Sequence, residues 1–193
     1  MGVRQIAFAA LLALALAILC PALQAQETVV TIDPANTKIE FTLGATLHTV
    51  HGDFRLKSGE VRFNTSTGNA SGEIVVDAST GETGNLDRDK KMQIEVLESA
   101  KFPEITFVPN HVSGSVPVQG TANVEVAGVL RVHGQDHPTT LNVAVTRSAN
   151  GDLQATSHFS IPYVKWGMKN ASTFVLRVSE TVDLDVAATM KAK

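Results

Sequence analysis

Apolar and polar residues alternate along most of this chain. Ile39, Phe41 and Leu43 fall on one side of an extended segment, with Lys38, Glu40 and Thr42 on the other. The same two-residue period returns at Val61 and Phe63 around Arg62, at Ile105 and Phe107 around Thr106, and at Val124 and Val126 around Glu125. Leu141, Val143 and Val145 alternate with Asn142 and Ala144. Phe159 and Ile161 flank Ser160, and Val182, Leu184 and Val186 alternate with Asp183 and Asp185. Successive side chains of a strand point to opposite faces, so each run has an apolar side and a wetter one. This is the pattern of antiparallel sheet packed on one face, with about eight strands expected.

Turn-forming residues separate the runs. Asp33-Pro34-Ala35-Asn36 reads as the turn before a strand, and Lys57-Ser58-Gly59 as a tight hairpin. Thr65–Gly68, His133–Pro138 and Ser148–Asp152 carry the other turn signals. Strands at this spacing build either a sandwich or a barrel, and alternation alone fits both. Gly44, Gly72 and Gly128, isolated inside strand-like runs, are expected at bulges or sharp bends.

One stretch departs from period two. DRDKKMQIEVLE, Asp87 to Glu98, is rich in helix formers and lacks Gly and Pro. Met92 and Val96 lie four apart, so one stripe can pack on the sheet. Asn85 or Asp87 can cap the start, and Pro103 forbids continuation. One short helix is expected near residues 87–98.

The N-terminal segment follows a different logic. Arg4 precedes an almost unbroken apolar run, Ile6 to Leu19, and Pro21-Ala22-Leu23-Gln24-Ala25 follows. That order is expected of a secretory signal peptide cleaved near Ala25, leaving residues 26–193 as a single periplasmic or secreted domain. The run is short for a membrane span. Lipidation at Cys20 would want a small residue before it, and Leu19 is not small.

Composition sharpens the picture. Beyond residue 25 there are 22 Val, 19 Thr and 6 Ile, a β-branched enrichment that favours strands. The formal charge of -3 offers no basic surface for nucleic acid. Cys20 is the sole cysteine, which excludes an internal disulfide framework and a multi-cysteine zinc site.

Candidate chemistry is sparse. His48 and His51 form an H-x-x-H, but strand positions three apart point to opposite faces, so no metal site is expected there. Either could instead be a polar contact at a cavity mouth. His133 and His137 fall in a turn and are expected in solvent. No G-x-S-x-G, phosphate-cradling glycine loop or catalytic triad can be assembled, and no cofactor is expected. Arg88 has no local reason to stand at a helix start. It reads either as a surface salt bridge or as a cation at the rim of a cavity, set to meet an anionic head group.

The order of motifs resembles the YceI-like family. TIDPANTKIEFTLGATLHTVHGDFRLKSGEVRF is similar to its opening segment. TGNLDRDKKMQIEVLESAKFPEITF is similar to its segment with an RD pair, a short helix and a Pro-x-x-x-Phe strand start. GVLRVHGQDHPTTLNVAV resembles its later strand-turn-strand with an HG turn. The likeness spans Thr28 to Met190. It departs at Pro162–Met168, PYVKWGM, where many members carry an Arg followed by a polar residue and a glycine.

The resemblance implies a mainly β fold, an extended antiparallel lipocalin-like barrel of about eight strands around a long apolar cavity. It implies a bound polyisoprenoid or similar amphiphile, in a bacterial periplasmic or secreted protein. Candidate lining residues are Phe41, Leu43, Phe54, Phe63, Met92, Phe107, Phe159, Trp166 and Phe174, with His48, His51 and Arg88 as a polar rim. Expected partners are the isoprenoid-type lipid and, transiently, a membrane surface; a homodimer is compatible. Two other readings stay open: an enzyme using His48 or His51 as acid/base, and a non-catalytic β-scaffold whose phenylalanines fill a solid core.

Overall fold

The computed structural model describes residues 27–149, 151–172 and 176–192. The expected signal peptide, Cys20 and Phe174 lie outside the described residues.

Eight strands run in chain order: β1 Glu27–Gly44, β2 Thr49–Asn64, β3 Ala70–Glu82, β4 Glu104–Ser113, β5 Gly120–Val132, β6 Gln135–Arg147, β7 Leu153–Ile161 and β8 Val182–Ala192. Each pairs antiparallel with the next, and β8 pairs back onto β1, so the sheet closes into a barrel. Closure leaves no strand with a wholly free edge, which a sandwich could not achieve.

Two expected turns are bulges inside long strands. Asp33–Asn36 loops out of β1, and the register against β2 resumes only at Ile39↔Phe54. The loop satisfies itself locally. The Asp33 carboxylate accepts from the Ala35 N–H and the Asn36 side chain, each at 2.9 Å, and Thr37 Oγ1 donates to the Asp33 carbonyl at 2.7 Å. The chain can therefore rejoin the same ladder. Lys57-Ser58-Gly59 is no hairpin either. Leu56 pairs with Val76 and Ser58 with Val75, so β2 spends two residues against one of β3. Such bulges bend a strand and raise its twist, which helps a sheet of long strands curl shut. The His133–Pro138 turn shrinks to His133-Gly134, both with positive φ (51° and 72°), and β6 starts at once at Gln135.

The helix between β3 and β4 begins as α1, Leu86–Lys91, and continues as a π turn, Met92–Val96. Asn85 Oδ1 caps it by accepting the Arg88 N–H at 3.0 Å. The widened turn, with the Leu97 N–H donating to the Met92 carbonyl at 2.9 Å, brings Val96 and Leu97 together onto the barrel core.

The two ends differ. One carries the three connections 65–69, 114–119 and 148–152. The other carries the 45–48 loop, the helical connection, the His133-Gly134 turn and the long 162–181 connection. We call these the turn end and the helix end. Apolar clusters sit at both. Val30, Phe63, Val112, Val124, Val145 and Leu153 gather at the turn end, and Phe107, Leu130, Val132, Ile161, Tyr163 and Met168 at the helix end. Ile32, Ile39 and Leu56 form a third group on the β1–β2 flank.

Candidate functional site

The inward faces of the strands are mostly apolar, yet the interior is not filled. A cavity of about 260 Å³ runs between the clusters, lined from Val30, Phe63 and Leu153 at one end to Leu130, Val132 and Ile161 at the other. Among the described residues its polar lining is Thr37, Thr106, Thr156 and Ser157.

Glycines explain why phenylalanines fail to fill it. A Cβ on Gly52 would stand 2.4 Å from Phe41 Cζ, one on Gly81 2.5 Å from Phe54 Cε1, and one on Gly128 2.7 Å from Phe107 Cζ. Each ring therefore lies against a neighbouring strand where no side chain stands, flat on the wall rather than across the lumen. Gly128, expected at a bulge or bend, stands opposite Pro109 at the register shift between Pro109 and His111, and gives close approach to a ring as well. Gly72 does adopt a special backbone, with φ 107°, against the Glu60 carbonyl.

Among the residues singled out from the sequence, Phe54, Phe63, Phe107 and Phe159 line the cavity. Phe41 is buried beyond it, its ring centroid 5.4 Å from that of Phe54. Leu43 packs at the edge of the helix-end cluster. Met92 reaches from the π turn to Gly81, beside Phe54.

Trp166 lies in the connection after β7 and stacks on His137, ring centroids 3.9 Å apart and 6° from parallel. Tyr163 and Met168 of the same connection are buried beneath it. Burial pushes the Tyr163 phenol up, and its hydroxyl donates to the Ser179 carbonyl at 2.8 Å. Lys169 reaches Glu95 of the π turn at 2.6 Å, tying the two covering segments together.

His137, expected in solvent, points inward from β6 with Leu130 as its partner in β5. Its Nε2 is buried without a hydrogen-bond partner. Burial pushes its imidazole below the ordinary value, against the opposing pull of Asp136. Asp136 is itself held by Arg131 at 2.6 and 2.9 Å. His133 Nε2 is similarly buried, 3.6 Å from Glu98, with its ring 4.7 Å from Phe102.

The expected polar rim is not assembled. His48 is exposed in the 45–48 loop. His51 is exposed on the outer wall of β2, its Nδ1 3.2 Å from Thr42 Oγ1 of β1. Arg88 is spent locally, because Nε donates to Thr83 Oγ1 at 2.7 Å and Nη2 to the Thr83 carbonyl at 3.0 Å. Thr83 in turn donates to Asp89 through both its N–H and its hydroxyl. The RD pair thus fixes the start of the helical connection. No cluster of three or more potential metal ligands occurs among the described residues.

Sequence reasoning missed His137, Tyr163 and Met168 as parts of the cover. The signal was present for Tyr163-Val-Lys-Trp166, an aromatic-rich stretch outside any alternating run. What it covers depends on where the barrel closes.

On the outside, β1, β5, β6, β7 and β8 frame a second concavity of about 650 Å³, lined by Asn123, Asn142, Ser157, His158, Asp185 and Glu40 among others.

The family model of the YceI-like domain matches residues 30–190. Among solved structures, a polyisoprenoid binding domain from Saccharophagus degradans implicated in plant cell wall breakdown is similar at 18% identity and a TM-score of 0.66, covering 85% of this chain and 98% of that one. BcnA of Burkholderia cenocepacia is similar at 16% identity and a TM-score of 0.65, covering 82% and 98%. The YCEI protein of Campylobacter jejuni is similar at 15% identity and a TM-score of 0.55, covering 75% and 85%. Comparison with curated proteins gives no match.

Proposed function

The chain belongs to the YceI-like domain family, and on that premise we propose that its barrel binds, sequesters or carries an isoprenoid-type lipid or similar amphiphile. The observation that carries this reading is the cavity, about 260 Å³ of space walled by aliphatic and aromatic side chains with four hydroxyl residues among them. A similar barrel from Saccharophagus degradans is a polyisoprenoid binding domain, which supports the ligand class. Binding of this kind needs no reacting group. Each buried methylene contributes about 0.8 kcal/mol, so a chain gains affinity with length until the wall runs out. The ordering of the chain offsets part of that gain.

A binder is favoured over an enzyme because His48 and His51, the acid/base candidates, stand outside the cavity. The protein acts after export, in the periplasm or outside the cell, once the segment ending near Ala25 is removed.

Native mass spectrometry and solvent extraction of the purified protein test the reading. A stoichiometric apolar ligand is expected. A protein that never carries or takes up an apolar chain is a scaffold, and one that converts it is an enzyme. Intact mass of exported protein should begin at Gln26, and full-length protein retained in the cytoplasm would refute export.

A further inference from the structure

The ladder between β6 and β7 stops early. It runs from Arg147↔Leu153 only to Val143↔Ser157. On its other side β6 stays paired with β5 down to Gln135, and β7 stays paired with β8 up to Ile161. His137–Asn142 and His158–Ile161 therefore face each other without strand pairing.

The local chemistry keeps them apart. Ser157 Oγ donates to the Asn142 carbonyl at 2.8 Å, and Thr139 Oγ1 donates to the His137 carbonyl at 3.0 Å, so side chains occupy acceptors that a ladder would use. Pro138, inside the unpaired stretch, has no N–H to offer a neighbouring strand.

Two spaces flank this gap. On its inner side, Leu141 and Phe159 line the apolar cavity. On its outer side lies the 650 Å³ concavity, and Thr156 and Ser157 line both. The interior offers a head group almost nothing, and a buried polar group without a partner costs several kcal/mol. The outer pocket offers the side-chain amides of Asn123 and Asn142, which make no hydrogen bond among the described residues. Its charges are the carboxylates of Asp185 and Glu40, the first 2.8 Å from His158 and the second 2.6 Å from Lys38. Among the described residues no Lys or Arg lines it. Arg88, the one expected anion partner, is bound to Thr83 elsewhere.

We propose that the β6–β7 gap is the doorway of the barrel and that the outer pocket holds the ligand's head group, an uncharged or cationic hydrogen-bonding group such as an amide, alcohol or amine. Carboxylates and phosphates are disfavoured by Asp185 and Glu40. The inference rests on the apolar-ligand reading and adds where the polar end sits and which charge it carries.

Three probes of equal chain length separate the outcomes: hexadecanamide, hexadecylamine and hexadecanoate. Full binding curves should show the amide and amine at least about tenfold tighter than the carboxylate, some 1.4 kcal/mol. Asn142→Lys should narrow or reverse the gap for hexadecanoate, and Asn142→Asp should widen it; this exposed position carries little folding risk. The doorway is tested by Asn142→Cys with His158→Cys, one step beyond the last ladder pair, in a Cys20→Ser background. With the disulfide verified by mass, hexadecanamide should load at least about tenfold more slowly than after reduction. Equal loading rates, a preference for hexadecanoate, or selectivity blind to both Asn142 changes would overturn the proposal while leaving a lipid binder. If oxidation does not join the cysteines, the charge variants decide alone. If none of the probes binds, the apolar-ligand reading fails and this one with it.

Discussion

The two ends of the barrel are closed by different means. At the turn end the strands do most of the work, with Val116 of the 114–119 connection packed against them. Leu153, 1% exposed, packs with Val30, Phe63, Val112, Val124 and Val145, all carried on strands joined by short connections. At the helix end the lumen is covered by segments outside the sheet: the π turn through Val96 and Leu97, and the Pro162–Met168 stretch through Tyr163, Trp166 and Met168. Bonds that hold the covering segments include Lys169 to Glu95, Tyr163 to the Ser179 carbonyl and Gln93 to the Gly81 carbonyl. A strand-borne plug is part of the cooperative core. A cover made of connections can shift without breaking a ladder, and local stability differs accordingly.

The largest expected effect separates plug from cover. Leu153→Ala removes a fully buried side chain from a close-packed cluster and should cost about 2–5 kcal/mol in denaturant unfolding. Trp166→Ala removes a half-buried ring and its stack on His137, and should cost only about 1 kcal/mol while speeding release of a bound apolar probe. Equal losses in the two variants would mean that the cover is core and the contrast is false.

Gly81→Ala probes the wall between the ends. The new methyl meets Phe54 Cε1 at 2.5 Å and Met92 Cε at 2.9 Å, both at the far ends of side chains that can swing. The ring should tip into the lumen, at a cost of about 1–3 kcal/mol, and probe affinity should fall more than in Leu153→Ala. Crystallography of the variant would show the ring displaced, and an unmoved Phe54 with intact binding would refute the glycine-and-ring account.

Asn85→Ala removes the cap of the helical connection and should cost about 1 kcal/mol. Hydrogen exchange should speed up across Leu86–Val96 and stay unchanged in the turn-end strands. Exchange rising equally at both ends would show that the cover and the barrel unfold as one.

The smallest effect is pH dependence at the cover. Burial lowers the His137 pKa in the fold, so the unfolded chain takes up the proton first as pH falls. The contribution of neutral, buried His137 is fully present above about pH 6.5, the ordinary histidine value, and is lost as pH drops toward the lowered one. Trp166 is the only tryptophan and stacks on this ring, so its fluorescence should report the titration, with a midpoint below that of an exposed histidine. His137→Phe should abolish the step. A midpoint above the ordinary value would contradict the burial argument.

The sequence by itself determined the wall of this protein. Alternation at Ile39-Phe41-Leu43, Leu141-Val143-Val145 and Val182-Leu184-Val186 is enough to separate an apolar face from a wetter one, because a strand has only two faces. A short helix near 87–98 was equally legible, with Asn85, the cap it uses, as one of two candidates, since capping and helix propensity act within a few residues. Only the tertiary structure decided what the wall encloses. That Asp33–Asn36 bulges instead of turning depends on β2 and β8 waiting on either side to resume the ladder. That Phe54 lies flat depends on Gly81, 27 residues away and meeting it through register alone. That Arg88 serves Thr83, that His137 is buried under Trp166, and that β6 and β7 part at Ser157 are likewise contacts between segments distant in sequence or loops whose course closure sets. Local patterns fix the direction of a side chain, and what it meets there is set by pairing across the barrel, where one residue of register changes every neighbour.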